Sequence, residues 1–368
     1  MRILVYGMGP LGSVFAARLA EAGHNVVALA RGERLENLRE YGIVLEDALT
    51  AERETWHVET IEKLEKDDSY DLILVVMRKN QALEILPTLA ANESSPTVLF
   101  MMSNIGGFAE LTEALGRERV MVGFPLPGGE RHGHVMRIVP QVAGRPWELP
   151  IGEVDGRVTP RTRRMAAILE SMRGYTVVIR TDMDAWLKYH SAGIIPLALA
   201  LYAADLSTDR LARTPDAQVL GIRGLKEAFR GLRQMGIPPS PRAGQAVEWL
   251  PEPVLAPMVA RFATMEPLQV SIVGHVRDAR DEMRFLTEEL LALLRSGNVD
   301  TPYLDQLYPY LDPKTPPIPD GSDLIGMNWR PIWLPAVALT AAVGVVAGVK
   351  YMQHHNGQKQ KKAQSERV

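Results

Sequence analysis

The run Gly7-Met8-Gly9-Pro10-Leu11-Gly12 follows a short apolar stretch, Arg2 to Tyr6, and precedes Val14, Phe15, Ala17, Leu19 and Ala22, which recur at helical spacing. Strand, glycine turn, helix is the setting in which G-x-G-x-x-G binds a dinucleotide. The first glycine permits a tight turn, the second lets backbone amides approach a pyrophosphate, and the third lets helix pack on strand. The helix N-terminus adds partial positive charge for the phosphates. Taken alone, the pattern also describes a vestigial turn; its context selects a cofactor site built from Gly7, Met8, Gly9, Pro10, Leu11 and Gly12.

Gly23-His24-Asn25 stops the first helix, and Val26 to Ala30 forms an unbroken apolar run suited to a strand buried on both faces. Leu72 to Met77 and Thr97 to Met102 are further such runs, separated by helical spacing over Ala82 to Leu89. This alternation, led by the glycine motif, predicts a Rossmann-type doubly wound parallel sheet over residues 1–181. After Thr176 to Arg180 strand-like runs cease and helical patterns take over, including Asp278 to Leu294, so an all-α second domain is expected over 182–312. The 368 residues accommodate two domains of the usual ~100–200 residues.

Composition closes off several function classes. With 41 basic and 44 acidic residues the net charge is −3, and no long basic run precedes residue 350, so no nucleic-acid footprint is visible. Cysteine is absent, which removes disulfides, thiolate zinc sites and cysteine nucleophiles, and fits a reducing, cytoplasmic setting. No metal-ligand motif such as H-E-x-x-H occurs, so no metal is expected. The N-terminal apolar run is too short for a signal peptide.

Five prolines between Pro309 and Pro319 suggest a stiff linker over 313–331 at the end of the compact body. Beyond it, residues 332–349 carry no charge and are flanked by Trp329, Trp333 and Tyr351. A transmembrane or membrane-associated helix over 332–350 is expected, with a buried hydrophobic helix as the alternative. The basic tail, 351–368, carries Lys359, Lys361, Lys362 and Arg367 against Glu366. The positive-inside rule would hold it in the cytoplasm, which conflicts with a cytoplasmic body across a single span. Either the folded body overrides that bias, or the segment lies in the membrane surface or against protein.

At the end of the second strand, where an acidic residue usually meets an NAD ribose, stands Arg31, with Arg34 a turn later. A cation there suits a 2′-phosphate and predicts NADP(H), although Glu33 is close by. Asp184 to Ser191 opens the second domain, placing Lys188 and His190 at the start of an otherwise apolar helix. A lysine partly desolvated beside a cleft can serve as a proton donor, whereas a lone lysine is more often simply solvated.

Several features together resemble the ketopantoate reductase family: G-x-G-x-x-G after a short first strand, Ala30-Arg31-Gly32, Ser103-Asn104-Ile105-Gly106-Gly107 after a later strand, and Trp186-x-Lys188 opening a helical domain. The resemblance spans roughly Met1 to Leu311. It implies a dinucleotide-binding domain followed by a helical domain, and NADPH-dependent reduction of 2-dehydropantoate to pantoate in the route to pantothenate and coenzyme A. It implies that Asn104 contacts cofactor and substrate, that Lys188 protonates the carbonyl oxygen, and that Glu282, twenty residues ahead of Pro302, holds the substrate hydroxyl. An ion pair of Glu282 with Arg277, Arg280 or Arg284 is the competing reading, and His275 is read as structural or solvated.

The chain also departs from the family. Ala192 and Pro196 stand where asparagines are usual, leaving His190 or Ser191 to supply substrate contacts. Arg78 replaces the usual first-domain lysine and is assigned to the cofactor, with Lys79 next to it. The expectation is a divergent NADPH-dependent reductase of a 2-oxo acid. The alternative is a non-catalytic or redox-sensing NADP-binding protein that has lost the substrate site. A homodimer is left open.

Overall fold

The computed structural model describes residues 1–139, 144–265 and 269–329. β1 (Arg2–Tyr6), α1 (Pro10–Glu21) and β2 (Asn25–Leu29) form the opening unit, followed by α2 (Gly32–Tyr41), β3 (Ile43–Asp47), β4 (Arg53–Trp56) and β5 (Glu59–Ile61). Next come β6 (Leu72–Val75), α3 (Lys79–Glu84), α4 (Leu86–Ala91), β7 (Val98–Met101), α5 (Ala109–Leu115) and β8 (Val120–Gly123). The first half ends with β9 (Gly129–His132), β10 (Val135–Ile138), β11 (Trp147–Glu153), α6 (Pro160–Glu170) and β12 (Tyr175–Ile179).

Eight strands form one sheet in the order β12-β11-β8-β7-β6-β1-β2-β5. Side chains alternate across its two faces because the strand repeat is two residues. Ile3, Val5, Leu72 and Leu74 pack against Phe15 and Leu19 of α1, while Leu4, Tyr6, Ile73 and Val75 face Ala82, Leu86 and Leu89. Burial on both faces is why these strands read as continuous apolar runs.

The parallel expectation holds for every pair except β8 with β11, which is antiparallel. Between them the chain makes the β9–β10 hairpin instead of a crossover helix, and antiparallel neighbours need no crossover. That hairpin belongs to a second sheet, β4-β3-β10-β9, which the sequence reading did not anticipate. Its strands are four or five residues long and rich in charge, so they lack the apolar signature of the main sheet. The helical run over Ala82 to Leu89 is two short helices, because Pro87 restarts the chain in the first turn of α4.

The second half is helical: α7 (Met183–Ala203), α8 (Thr208–Arg213), α9 (Pro215–Gln234), α10 (Ala246–Trp249), α11 (Glu252–Ala263), α12 (Gly274–Asp278), α13 (Arg280–Ser296) and α14 (Pro302–Leu307). α7 contains Pro196 and crosses α9 closely. A Cβ on Gly224 would lie 3.2 Å from Pro196 Cβ, and one on Gly221 would lie 2.9 Å from Ala200 Cβ. Glycine at these two positions allows the helices their approach.

The proline-rich segment corrects the linker expectation. The Ile318 N–H donates to Ala203 O at 2.9 Å and Ile318 is buried. Asp216 accepts from the Ile325 N–H at 2.7 Å, and Glu252 accepts from the Asn328 N–H at 2.8 Å. The prolines prevent a helix, but carboxylates on the helical domain take up the freed backbone donors, so residues 313–329 are bound to the body. The segment 332–350 and the tail 351–368 lie outside the described residues. Among the described residues no helix is long and apolar enough to cross a membrane.

Candidate active site

The glycine turn is sterically compelled. Gly7 has φ +106°, and a Cβ there would stand 2.3 Å from Val76 O; one on Gly12 would stand 1.8 Å from Gly7 O. Gly9 is different, since a Cβ there would meet nothing within 4 Å. Gly9 also precedes α1, whose first turn holds Pro10 and no acidic residue. Together they form an open cradle beside a helix N-terminus, as an anionic phosphate requires. Met8 and Leu11 turn their side chains into the core, so the turn offers backbone at these positions.

The charge around this cradle is positive. Arg34 is buried and donates to Met8 O and Ser13 Oγ, both at 2.9 Å, and to His134 O at 3.5 Å, all neutral acceptors. Burial, together with Arg131 nearby, lowers its pKa to about 10. Arg31 is exposed at the start of α2, next to the end of β2. Glu33, the neighbouring acid, pairs with Arg131 at 3.2 Å. These residues fit a dinucleotide.

A second polar cluster is built around the loop after β7. Asn104 is buried; its Oδ1 accepts from Lys79 Nζ at 2.9 Å, while its Nδ2 has no partner. Lys79 Nζ also pairs with Glu289 of α13, and the Lys79 backbone N–H donates to Glu282 Oε1 at 3.3 Å. Glu282 is 3% exposed. Its Oε2 lies 3.2 Å from His275 Nε2 without hydrogen-bonding geometry and meets no other donor. A Cβ on Gly106 would stand 2.7 Å from Glu289 Oε1, and one on Gly107 would stand 3.8 Å from Asp184 Oδ1. The Asn104–Gly107 loop thus links the Lys79 cluster to the start of α7.

On α7, Lys188 is 7% exposed and pairs with Asp184 one turn earlier. Ser191, three residues on and therefore on the same face, is buried with its Oγ unpartnered. His190 is turned about 200° around the helix from Lys188. It stacks on Trp186 with centroids 4.9 Å apart and touches Phe124 at 4.1 Å. Burial lowers its pKa to about 4, so the ring is neutral near pH 7.

Several expectations change here. Arg78 does not reach the glycine turn; it donates to Asp281 Oδ1 and Asp278 O, each at 2.7 Å, and ties the two halves of the molecule together. Lys79, passed over as a site residue, holds the inward position because α3 begins there and turns it toward Asn104. The arginines offered as partners for Glu282 bond elsewhere: Arg277 to Glu130, Arg280 to Tyr310 O and Leu311 O, and Arg284 to Leu311 O. His275 is the nearest cation-capable group instead. His190 belongs to an aromatic cluster, and Ser191 is the one on the Lys188 face. Glu289 and Asp184 gave no sequence signal, being ordinary helical acids until the fold sets each beside a lysine.

Residues 3–141 match the family model described as Ketopantoate reductase PanE/ApbA. A 2-dehydropantoate 2-reductase of Mesorhizobium japonicum is 26% identical over 257 residues, covering 60% of this chain and 76% of the relative. Over its first 141 residues the chain is similar to the ketopantoate reductase family, from which it diverges in sequence. Among solved structures, a 2-dehydropantoate 2-reductase from Geobacter metallireducens superposes with TM-score 0.69 at 18% identity, covering 86% of this chain and all of the other. D-mandelate dehydrogenase in complex with NADH and anilino(oxo)acetate gives TM-score 0.67 at 14% identity, covering 84% and 97%. The two structural likenesses establish the fold: a Rossmann-type sheet followed by a helical domain. The glycine turn of that family is present in this chain, whereas Ala192 is buried in the core of the helical half and Pro196 packs against α9 at Gly224.

Proposed function

We propose that the protein is an NADPH-dependent reductase of a 2-oxo acid, with 2-dehydropantoate the first substrate to test. The observation that carries this reading is Lys188: a buried ammonium at the family's W-x-K position, held by Asp184 beside the loop that bears Asn104. The reduced nicotinamide, when bound, supplies a hydride to the carbonyl carbon.

The protein's own groups do the rest. The Gly7–Gly12 turn and the α1 N-terminus hold the pyrophosphate, and Arg31 meets the 2′-phosphate. Asn104 Nδ2, lacking a protein partner, is available to orient the nicotinamide or the substrate. Lys188 Nζ stabilises the alkoxide that develops on the carbonyl oxygen and passes it a proton. Asp184 keeps the ammonium aimed. Glu282 Oε2 can accept from a substrate hydroxyl, and Ser191 Oγ offers a hydrogen bond on the face where asparagines are missing. Cytoplasmic placement and a membrane tether through 332–350 belong to the same proposal, resting on the cysteine-free composition and the uncharged stretch.

The test is loss of reduced-nicotinamide absorbance by the purified full-length chain with 2-dehydropantoate and a panel of 2-oxo acids, beside direct NADPH binding. Turnover of any of them supports the reading and names the substrate. Tight NADPH binding with no turnover across the panel would replace it with the second reading, a cofactor-binding protein without catalysis, which the loss of two polar positions at Ala192 and Pro196 favours.

A further inference from the structure

Seven of the ten large apolar side chains that stand exposed among the described residues fall between Trp249 and Trp329. Four of them form one stripe along α11 and its end: Val254, Met258, Phe262 and Met265, exposed by 41%, 43%, 52% and 40%. The spacing of four and four keeps Val254, Met258 and Phe262 on a single helix face, over ~12 Å at ~1.5 Å per residue, and Met265 follows just past the helix end. The opposite face is equally apolar, with Leu255 and Ala256 packed on Ile222. A helix apolar on both sides is normally buried, yet the outer side of α11 is bare.

The charges on α11 separate by side. Arg261 is its only cation and is exposed on the outer face. Glu252 is its only acid and is turned inward, paired with Arg223 at 2.8 Å. The chain also leaves the described body at this helix: the Asn328 N–H donates to Glu252, and exposed Trp329 follows. From there the sequence runs into the uncharged stretch 332–349 and then Lys350, Lys359, Lys361 and Lys362.

We propose that the outer face of α11, Val254 to Met265, is a membrane-contact surface that lies in the headgroup region of an anionic bilayer with the helix in the membrane plane. Apolar side chains with a cation and no acid match that chemistry. A second copy of the chain fits less well. The stripe with Trp249 and Trp329 offers six side chains about half exposed, short of the ~800 Å² per partner of a stable interface. The surface is defined by described residues and does not rest on the catalytic reading.

The absence of native cysteine permits a local probe. The full-length Phe262→Cys variant carries an environment-sensitive fluorophore, and Glu93→Cys, exposed on the sheet domain, carries the same label as a control. Vesicles of phosphatidylcholine with phosphatidylglycerol are expected to blue-shift the probe at 262 and leave that at 93 unchanged, and pure phosphatidylcholine to shift neither. Adding Met258→Glu is expected to weaken the shift about tenfold in lipid concentration, the worth of one buried methionine. Retained NADPH binding or circular dichroism shows that this variant is folded. Co-sedimentation with vesicles without a shift at 262 would overturn the proposal and assign binding to the C-terminal segment. A shift without lipid that grows with protein concentration would assign the face to a second copy, and neither binding nor shift would leave it bare.

Discussion

Lys79 Nζ lies 2.9 Å from Asn104 Oδ1, joining the first turn of α3 to the loop after β7 at the point where Glu289 of α13 closes over both. One ammonium, 1% exposed, therefore holds elements from both halves of the molecule. Lys79→Met leaves the Glu289 carboxylate and the Asn104 carbonyl without their donor. A loss of about 3 kcal/mol in unfolding free energy is expected, toward the lower end for a broken buried pair because Glu289 is partly solvated. Chemical denaturation checks it; a variant as stable as the parent would show that Lys79 is dispensable to the interface.

Lys188→Ala is expected to lower kcat by ~10²–10⁴ on whichever 2-oxo acid is turned over, while NADPH affinity stays unchanged. Steady-state rates with cofactor titration separate the two effects. An equal loss in cofactor binding would move Lys188 from proton transfer to the cofactor site.

Arg31→Ala should discriminate between cofactors. Removing a charge-assisted contact worth ~1.5–3 kcal/mol is expected to weaken NADPH by about ten- to hundredfold and leave NADH nearly unaffected. Fluorescence titration with both cofactors decides, and equal losses would dismiss the 2′-phosphate assignment.

Gly12→Ala tests the turn itself. Its Cβ would stand 1.8 Å from Gly7 O, backbone that cannot move without displacing β1 or α1. A lowered Tm and abolished dinucleotide binding are expected. Gly9→Ala, where a Cβ meets nothing, should keep the parent's Tm while weakening the cofactor.

His190 links stability to pH. Its folded-state pKa is lowered to about 4 from the ordinary 6.5, so below pH 6.5 the unfolded chain takes up the proton first. Stability is expected to be complete above about pH 6.5 and to fall between there and about pH 4, by an order-of-magnitude total of ~3 kcal/mol. His190→Phe should flatten that slope in urea titrations at several pH values. An unchanged slope would place the dependence on another group.

The glycine turn, five strands of the central sheet (β1, β2, β6, β7 and β12) and the passage to helices near residue 181 were legible in order because each is a local matter, whereas β5, β8 and β11 were not read. Positive φ needs glycine, two-sided burial needs continuous apolar runs, and helical spacing is written within one turn. Asn104 and Lys188 were named through the resemblance of their segments to a known family, whereas Arg31 was nameable because it stands at a fixed offset from the second strand. The four-stranded second sheet was not, since short charged strands carry no apolar period and acquire their pairing only from partners distant in sequence.

What tertiary structure alone decided is which charges meet. Chain order places Arg78 and Lys79 side by side, yet the fold sends one outward to Asp281 and the other inward to Asn104 and Glu289. It turns His190 into an aromatic cluster and away from Lys188, and it binds the proline-rich segment to Asp216 and Glu252. Backbone preference acts over a few residues and can be read along the chain. Desolvation and ion pairing depend on groups up to 210 positions apart, as Lys79 and Glu289 are, and exist only once the chain has folded.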